Sequence, residues 1–427
     1  MSKSKESKGL MLALLITTAV CLRAPITSVG AILYCIVEDL NLSNTLAGSI
    51  GTIPLIVMAV FSPVVTKVSE SRGMCKGMFY GMALMIVGIL LRSFGGVSGL
   101  LVGTIIIAMG ITFGNVLVPV IIKIFFPNNV GSMTGLYTTI MSAFSGIAAG
   151  VSVPIAVGLG LGWKWMFCIW AAASFVCLCV IAACIKKNPE EQLMLAQNAA
   201  QSSSYAPDKE SASSQLAGNG QKNMECPSRE VENVNTKKPM YKSVMAWALA
   251  IMFAGQSLVF FTLTAWLPTI ITDRGFSAEE AGMIAMIFMV AGIPANFGVP
   301  IIASKFKHMG RLAAVIAGVG TLGLVILLFA NNMVMFVLAT VLIQLGIGGV
   351  FSLNLALYGL KTSDGAKATE VSAFAQSVGY ILAAIGPFAA GVLYDATLNW
   401  STTILLCIGC MVFDTIASYI AGEGEVM

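Results

Sequence analysis

The sequence has very little charge. Only 10% of its 427 residues are Asp, Glu, Lys or Arg, whereas 57% are hydrophobic. Soluble domains carry about 25% charged residues, which they need to cover a surface that faces water. The deficit excludes an ordinary water-soluble domain and predicts a chain that uses lipid as its solvent. The 43 Gly residues agree, because Gly lets the backbones of membrane helices approach closely.

Residues for catalysis and metal binding are also scarce. The only histidine, His308, lies in a basic stretch, and the ten cysteines lack the spacing of metal ligands. Most cysteines lie in apolar runs, where Cys acts as a small hydrophobe, so we expect no disulfide. The sequence contains no phosphate-binding Gly-x-x-x-x-Gly-Lys-Ser/Thr pattern and no nucleophile elbow. We therefore expect no enzyme activity, no metal or other cofactor, no ATP hydrolysis and no nucleic-acid partner.

Apolar runs long enough to cross a bilayer are abundant. A spanning helix needs about 20 apolar residues, and breaks at polar or Gly/Pro clusters divide the chain into such runs. The first run is too long for a signal peptide. The predicted helices are 10–37, 45–67, 76–94, 99–125, 131–158, 163–185, 244–271, 279–303, 311–330, 333–359, 368–394 and 400–421.

One segment differs from all the others. Residues 188–242 are rich in Ser, Asn, Gln, Lys and Glu and contain few aromatic residues. Such a composition cannot bury enough apolar area to fold, so we predict a disordered cytoplasmic linker. It separates two predicted bundles of six helices, at 1–187 and 243–427.

The two halves resemble each other. Helices 2 and 8 begin with one pattern at identical spacing, namely Leu42-Ser43 with Ala47-Gly48 and Phe276-Ser277 with Ala281-Gly282. Two glycine pairs are each 40 residues apart, Gly110 with Gly150 and Gly346 with Gly386. A parallel repeat of six helices is typical of the major facilitator fold. The predicted fold class is therefore an all-α membrane protein with twelve transmembrane helices in two six-helix pseudo-repeats.

The basic residues predict the orientation in the membrane. If the N-terminus is cytoplasmic, 19 of the 24 Lys and Arg residues lie in cytoplasmic segments and only Arg92, Lys164 and Arg274 lie outside. Cytoplasmic loops carry such an excess of basic residues. We therefore expect a multi-pass plasma-membrane protein (an inner-membrane protein in a bacterium) with both termini in the cytoplasm.

Arg23 lies near the middle of predicted helix 1. An Arg at a helix centre costs about 2.5–3.5 kcal/mol on insertion scales, so it should face protein or a water-filled cavity. The first six predicted helices contain no Asp or Glu that could pair with it. Two explanations stay open. Either an anionic or electron-rich substrate binds Arg23, or its guanidinium donates to backbone carbonyls that Pro25 leaves free.

Two other charged residues of the predicted helices are candidates for a function. Lys123 is near the cytoplasmic end of helix 4, where it either extends to the interface or places a positive charge at the inner mouth of a solute path. Asp414, in helix 12, is the only acid well inside a helix. It is either a proton site or a residue that reaches the cytoplasmic interface.

Several stretches of both halves resemble the cyanate and 2-nitroimidazole transporter family of the major facilitator superfamily. Helix 1 contains Leu22-Arg23-Ala24-Pro25-Ile26-Thr27-Ser28-Val29-Gly30, which is similar to that family's Leu-Arg-Pro-x-Ile-Thr-Ser-Val-Gly. Other matching stretches are Gly114-Asn115 with Pro119, Ile122-Lys123, Met133 to Thr139, Ala265-Trp266-Leu267-Pro268, Ala291 to Pro294, and Ser372-Ala373 with Ala375 to Tyr380. One departure is that the Pro that usually follows the helix 1 Arg stands one place later, at Pro25.

The resemblance implies a secondary transporter. Small anions or nitro-heterocycles are its expected substrates, moved by alternating access and driven by a gradient, with protons as a candidate coupling ion. Import is the first expectation, and proton-coupled export of toxic compounds is the alternative. In this fold helices 1, 4, 7 and 10 line the cavity. We expect a monomer in which Arg23 contacts the substrate, surrounded by Asn115, Tyr137, Gln256, Trp266, Gln376 and Tyr380. For each polar residue of this set, a hydrogen bond between helices, worth about 0.6 kcal/mol, is the competing role.

Overall fold

A computed structural model describes residues 2–42, 44–187, 240–306 and 308–425. In these residues twelve helical segments are long and apolar enough to cross a membrane, which confirms the predicted number. The helices are α1 Ser2–Leu40, α2 Asn44–Arg72, α3 Met74–Phe94, α4 Gly96–Phe125, α5 Val130–Val153, α6 Gly162–Lys187, α7 Val244–Thr272, α8a Ala278–Val290, α8b Ile293–Ala303, α9 Met309–Phe329, α10 Met333–Leu360, α11 Gly365–Thr397 and α12 Trp400–Glu423.

The eighth membrane segment is broken in the middle. The sequence predicted one continuous helix over 279–303, whereas α8a ends at Val290 and α8b begins at Ile293. Pro294 explains the restart, since its ring fits the first turn of a helix and its nitrogen has no hydrogen to donate to the previous turn. The break lies in the part of the segment that faces the other bundle, where it helps to form the site described below.

The six-helix repeat is visible in the packing. Gly110 of α4 lies against α3, where an added Cβ would come within 2.5 Å of the Gly81 carbonyl oxygen. Gly346 of α10 lies against Gly320 of α9 in the same way. Each glycine allows two backbones to approach closely, as is common between membrane helices. The predicted linker falls outside the described residues, except that residues 240–242 form a short 3₁₀ turn.

An even number of spans places both ends of the chain on one face of the molecule, which we name the terminal face. Odd-numbered helices begin there and even-numbered helices end there. The opposite face is the distal face. At the terminal face the bundles touch backbone to backbone: a Cβ added to Gly135 of α5 would lie 2.5 Å from the Phe297 carbonyl oxygen of α8b, and one added to Gly131 would overlap the Pro300 carbonyl.

Candidate functional site

Arg23 of α1 lies at the centre of the molecule, between the two bundles. Its guanidinium carbon is 4.9 Å from the ring centre of Phe260 on α7 and 4.7 Å from that of Phe351 on α10. Among the described residues, no carboxylate lies within ion-pair distance of Arg23 and no carbonyl accepts a hydrogen bond from it. The structure therefore does not support the explanation that the Arg23 guanidinium donates to backbone carbonyls freed by Pro25.

A cavity adjoins Arg23 near the middle of the membrane helices. It has an empty volume of about 500 Å³ and is narrow. Its walls are mainly apolar and include five aromatic side chains, and we name it the aromatic compartment. Residues of α1, α2, α4, α7, α10 and α11 line it, among them Ile26, Thr27, Met58, Asn115, Phe253, Phe261 and Tyr380. Helices 1, 4, 7 and 10 thus contribute to the cavity, as the resemblance implied.

A second and smaller space lies on the other side of Arg23. Its empty volume is about 260 Å³, and we name it the polar compartment. Ser142 of α5, Asn296 of α8b, and Gln344 and Gly348 of α10 line it. Arg23, Gln256, Phe260 and Phe351 line both compartments. Arg23 is therefore accessible from two chemically different spaces.

Hydrogen bonds join the bundles beside the aromatic compartment. The Asn115 side chain donates to the Tyr380 hydroxyl at 3.1 Å, and the Gln376 side chain donates to the Asn115 carbonyl at 3.0 Å. Among the described residues, the hydrogen bonds that link the bundles all lie in the middle or the terminal half of the helices. The structure is therefore closed at the terminal face.

The predicted substrate-contacting residues divide into two groups. Arg23, Asn115, Gln256 and Tyr380 line the aromatic compartment. Tyr137, Trp266 and Gln376 do not line either compartment. Tyr137 is buried behind Arg23, close enough to interact with it electrostatically. The Trp266 indole donates to the Pro387 carbonyl at 2.9 Å and lies near Trp400 at the distal end.

Several lining residues were outside the predicted set. Asn296 and Gln344 had a signal, since each is an amide within an apolar helix. Phe351 and Gly348 had none, because Phe and Gly are abundant throughout the chain. Their contribution depends on the rotation of α10, which a stretch of continuous hydrophobicity does not specify.

Lys123 connects the bundles at the terminal face. Its ammonium donates to the carbonyl and, at 2.7 Å, to the hydroxyl of Thr362, which follows α10. A hydrogen bond from a charged group contributes about 1.5–3 kcal/mol. The side chain neither extends freely to the interface nor remains unpaired at a channel mouth. Instead, it joins α4 of one bundle to the segment that follows α10 in the other.

Replacing Lys123 with Met should loosen this closure. We expect a cysteine placed at Gly359, beneath the Lys123 side chain, to react about tenfold faster with a thiol reagent when the Thr362 contact is lost. The comparison uses a background without other cysteines. Lys361→Met is the control, since Lys361 donates to Gly424 within one bundle. Equal reaction rates in all three proteins would show that Lys123 does not restrain the face.

Asp414 is completely buried in α12. Neither of its carboxylate oxygens has a hydrogen-bond partner among the described residues. It lies against α7, where a Cβ added to Gly255 would be 2.7 Å from the Asp414 Cβ. The structure therefore does not support the alternative that the Asp414 side chain reaches the cytoplasmic interface.

Residues 15–387 match the family model described as Major Facilitator Superfamily. The chain belongs to the major facilitator superfamily. This membership confirms the predicted family, and the members are transporters rather than enzymes. The protein is accordingly a multi-pass membrane protein and a secondary transporter of a small molecule.

Two curated relatives match over nearly their whole length. A 2-nitroimidazole transporter of Escherichia coli (strain K12) is 29% identical over 409 residues, covering 95% of this chain and 93% of the relative. The cyanate transport protein CynX of the same strain is 24% identical over 412 residues, covering 94% and 95%. The solved proton:xylose symporter XylE superposes with a TM-score of 0.73 at 11% identity, over 97% of this chain and 95% of XylE, which confirms the fold.

Proposed function

We propose that this major facilitator protein moves a small, planar, anionic or electron-rich solute, and that Arg23 binds the electron-rich group. The observation that carries the proposal is a guanidinium that lines two cavities with no carboxylate beside it among the described residues. A cation buried without a partner is costly. A substrate that supplies the negative charge removes that cost when it binds.

The two phenyl rings favour a planar substrate. A guanidinium stacks on aromatic rings through its faces, which leaves the N–H groups at its edge to bind oxygen atoms. Carboxylate or nitro oxygens match this planar fork. The aromatic walls of the larger compartment then offer flat surfaces to the rest of the molecule.

The relatives support this substrate class. Cyanate is a small anion, and 2-nitroimidazole is a planar ring with a nitro group whose oxygen atoms carry partial negative charge. Each compound appears in the name of a relative that matches more than nine-tenths of this chain. We propose that the substrate of the present protein belongs to the same class of small anions and nitro-heterocycles.

The closed terminal face fits one state of an alternating-access cycle. The excess of Lys and Arg in the segments at this face supports a cytoplasmic location for it. A face closed toward the cytoplasm is the arrangement that an importer needs while it loads its substrate from outside. Rocking of the two bundles about Arg23 would break the Lys123 contact and release the substrate inside.

Uptake into liposomes that contain the purified full chain tests the proposal. We would measure labelled cyanate, 2-nitroimidazole and, as an uncharged polar control, xylose, with and without a pH gradient. Saturable uptake of one of the first two, with no uptake of xylose, is expected. Uptake of xylose alone would contradict the proposal.

Asp414 is the residue we propose for proton coupling. An ionised carboxylate is unfavourable in a dry site without hydrogen-bond partners, so binding and release of a proton there changes the energy of the α7–α12 contact. In Asp414→Asn, we expect accumulation driven by a pH gradient to disappear, while exchange of labelled for unlabelled substrate continues. Asp395→Asn, at an exposed position on α11, is the control. Gradient-driven accumulation by Asp414→Asn at the original rate would exclude Asp414 as the coupling group.

A further inference from the structure

The polar compartment contains two hydrogen-bond acceptors without donors. Asn296 Oδ1 and Gln344 Oε1 are buried, and no described residue donates to either oxygen. Leaving a buried acceptor unsatisfied costs about 1–3 kcal/mol, and folded proteins leave few of them. Both side chains line the same small space. The group that both oxygens in this space lack is therefore a hydrogen-bond donor.

The Asn296 side chain is held in place by the opposite bundle. Its amide nitrogen donates to Ser142 Oγ at 2.7 Å, and its backbone carbonyl accepts from Thr138 Oγ1 at 3.0 Å. Both partners belong to α5. Because the nitrogen is engaged, the oxygen is the end of the amide that remains free for the compartment.

Glycine at position 348 keeps the compartment open. A Cβ there would lie 3.0 Å from Asn296 Oδ1 and would occupy the space in front of this oxygen. Gln344 precedes Gly348 by one turn of α10 and brings the second oxygen to the same side. Three helices, α5, α8b and α10, thus form a narrow pocket with acceptors on its wall.

The charge of Arg23 restricts what can bind there. Arg23 lines the same compartment. Two unit positive charges about 5 Å apart repel by about 3 kcal/mol at an effective dielectric constant of 20. A metal cation or an ammonium group is therefore disfavoured, whereas a neutral N–H or O–H group satisfies the oxygens without this penalty.

We infer that the polar compartment is a second substrate subsite, which binds an N–H or O–H donor of the same molecule whose electron-rich group binds Arg23. The inference rests on the proposed function and deepens it. The preferred substrates are planar anions or nitro compounds that carry a hydrogen-bond donor of their own. Compounds in which this donor is replaced by a methyl group fit the Arg23 side but leave the two oxygens unsatisfied and meet a narrow space.

The test compares 2-nitroimidazole with its N-methyl analogue, 1-methyl-2-nitroimidazole. Binding to the purified full chain would be measured by calorimetry or by competition. The unmodified protein should bind the N–H compound at least about tenfold more tightly, the equivalent of one hydrogen bond. Gly348→Ala, which fills the compartment, and Gln344→Leu, which removes one acceptor, should each bring the ratio close to one. Gly318→Ala is the control, because an added Cβ in α9 meets nothing within 4 Å.

Equal affinity of the unmodified protein for both compounds would overturn the subsite, and so would an unchanged preference in both Gly348→Ala and Gln344→Leu. Either result would mean that water satisfies the two oxygens. Failure of the proposed function has a different signature, because neither probe would then bind, or both would bind without any dependence on Arg23. Failure of the subsite alone leaves binding that depends on Arg23 but does not distinguish N–H from N–CH₃.

Discussion

Replacing Arg23 with Ala should abolish uptake of the anionic or nitro substrate. The variant loses the guanidinium that faces both compartments. Removing one partner of a buried, hydrogen-bonded charge pair costs about 2–5 kcal/mol, so substrate affinity should fall by about 30-fold or more. Arg23→Lys keeps the charge but loses the planar fork, and its affinity should be intermediate. Binding to purified protein and uptake into liposomes both measure the effect.

Lys164→Ala is the matched control for the loss of a positive charge. Lys164 forms an ion pair with Asp39 at 3.2 Å on the distal surface, away from the cavity. Hydrogen bonds from Lys164 and then from Trp163 lower the pKa of Asp39, which favours the ionised carboxylate. Removing it should leave uptake unchanged. Unchanged uptake by folded Arg23→Ala protein would refute Arg23 as the substrate-binding residue.

Adding a single methyl group to Gly135 should shift the protein out of the present conformation. The new Cβ would lie 2.5 Å from the Phe297 carbonyl of the other bundle. A backbone atom cannot rotate away, so the contact is relieved only when α5 and α8b separate. Overpacking of this kind costs about 1–3 kcal/mol, and a shift of about tenfold toward the state that is open at the terminal face is expected. Gly131→Ala should act in the same direction.

Distances between spin labels at Leu161 and Asp395, both exposed at the distal end, would measure this shift. The labels should approach each other in Gly135→Ala, because opening of the terminal face closes the distal one. Gly150→Ala, on the same segment, is the control, since its added Cβ meets nothing within 4 Å. A distance distribution in Gly135→Ala identical to that of the control would contradict the rocking mechanism.

The sequence predicted the fold well because lipid imposes a simple rule. Each span must be long and apolar, so the twelve segments can be read from composition alone. The glycine repeat was informative for a physical reason, since Gly110 and Gly346 both allow close packing on the preceding helix. The break between α8a and α8b was missed because hydropathy is continuous across Ala291 and Gly292 and does not report the backbone conformation.

The site was predicted less completely. A charge or amide within an apolar helix is rare, which is why Arg23, Asn115 and Gln256 could be recognised before the structure was known. Trp266 was selected from its sequence stretch, but its indole is directed at Pro387 and not into either compartment. The direction of a side chain depends on the rotation of its helix, and a helix that is apolar on all sides does not specify this rotation.

The most direct test of the account is an experimental structure of the full chain with 2-nitroimidazole bound. The account predicts that the nitro oxygens lie within about 3 Å of the guanidinium nitrogens of Arg23 and that the ring lies against the aromatic compartment. A ligand that occupies the cavity without contacting Arg23, or that binds elsewhere in the protein, would contradict it.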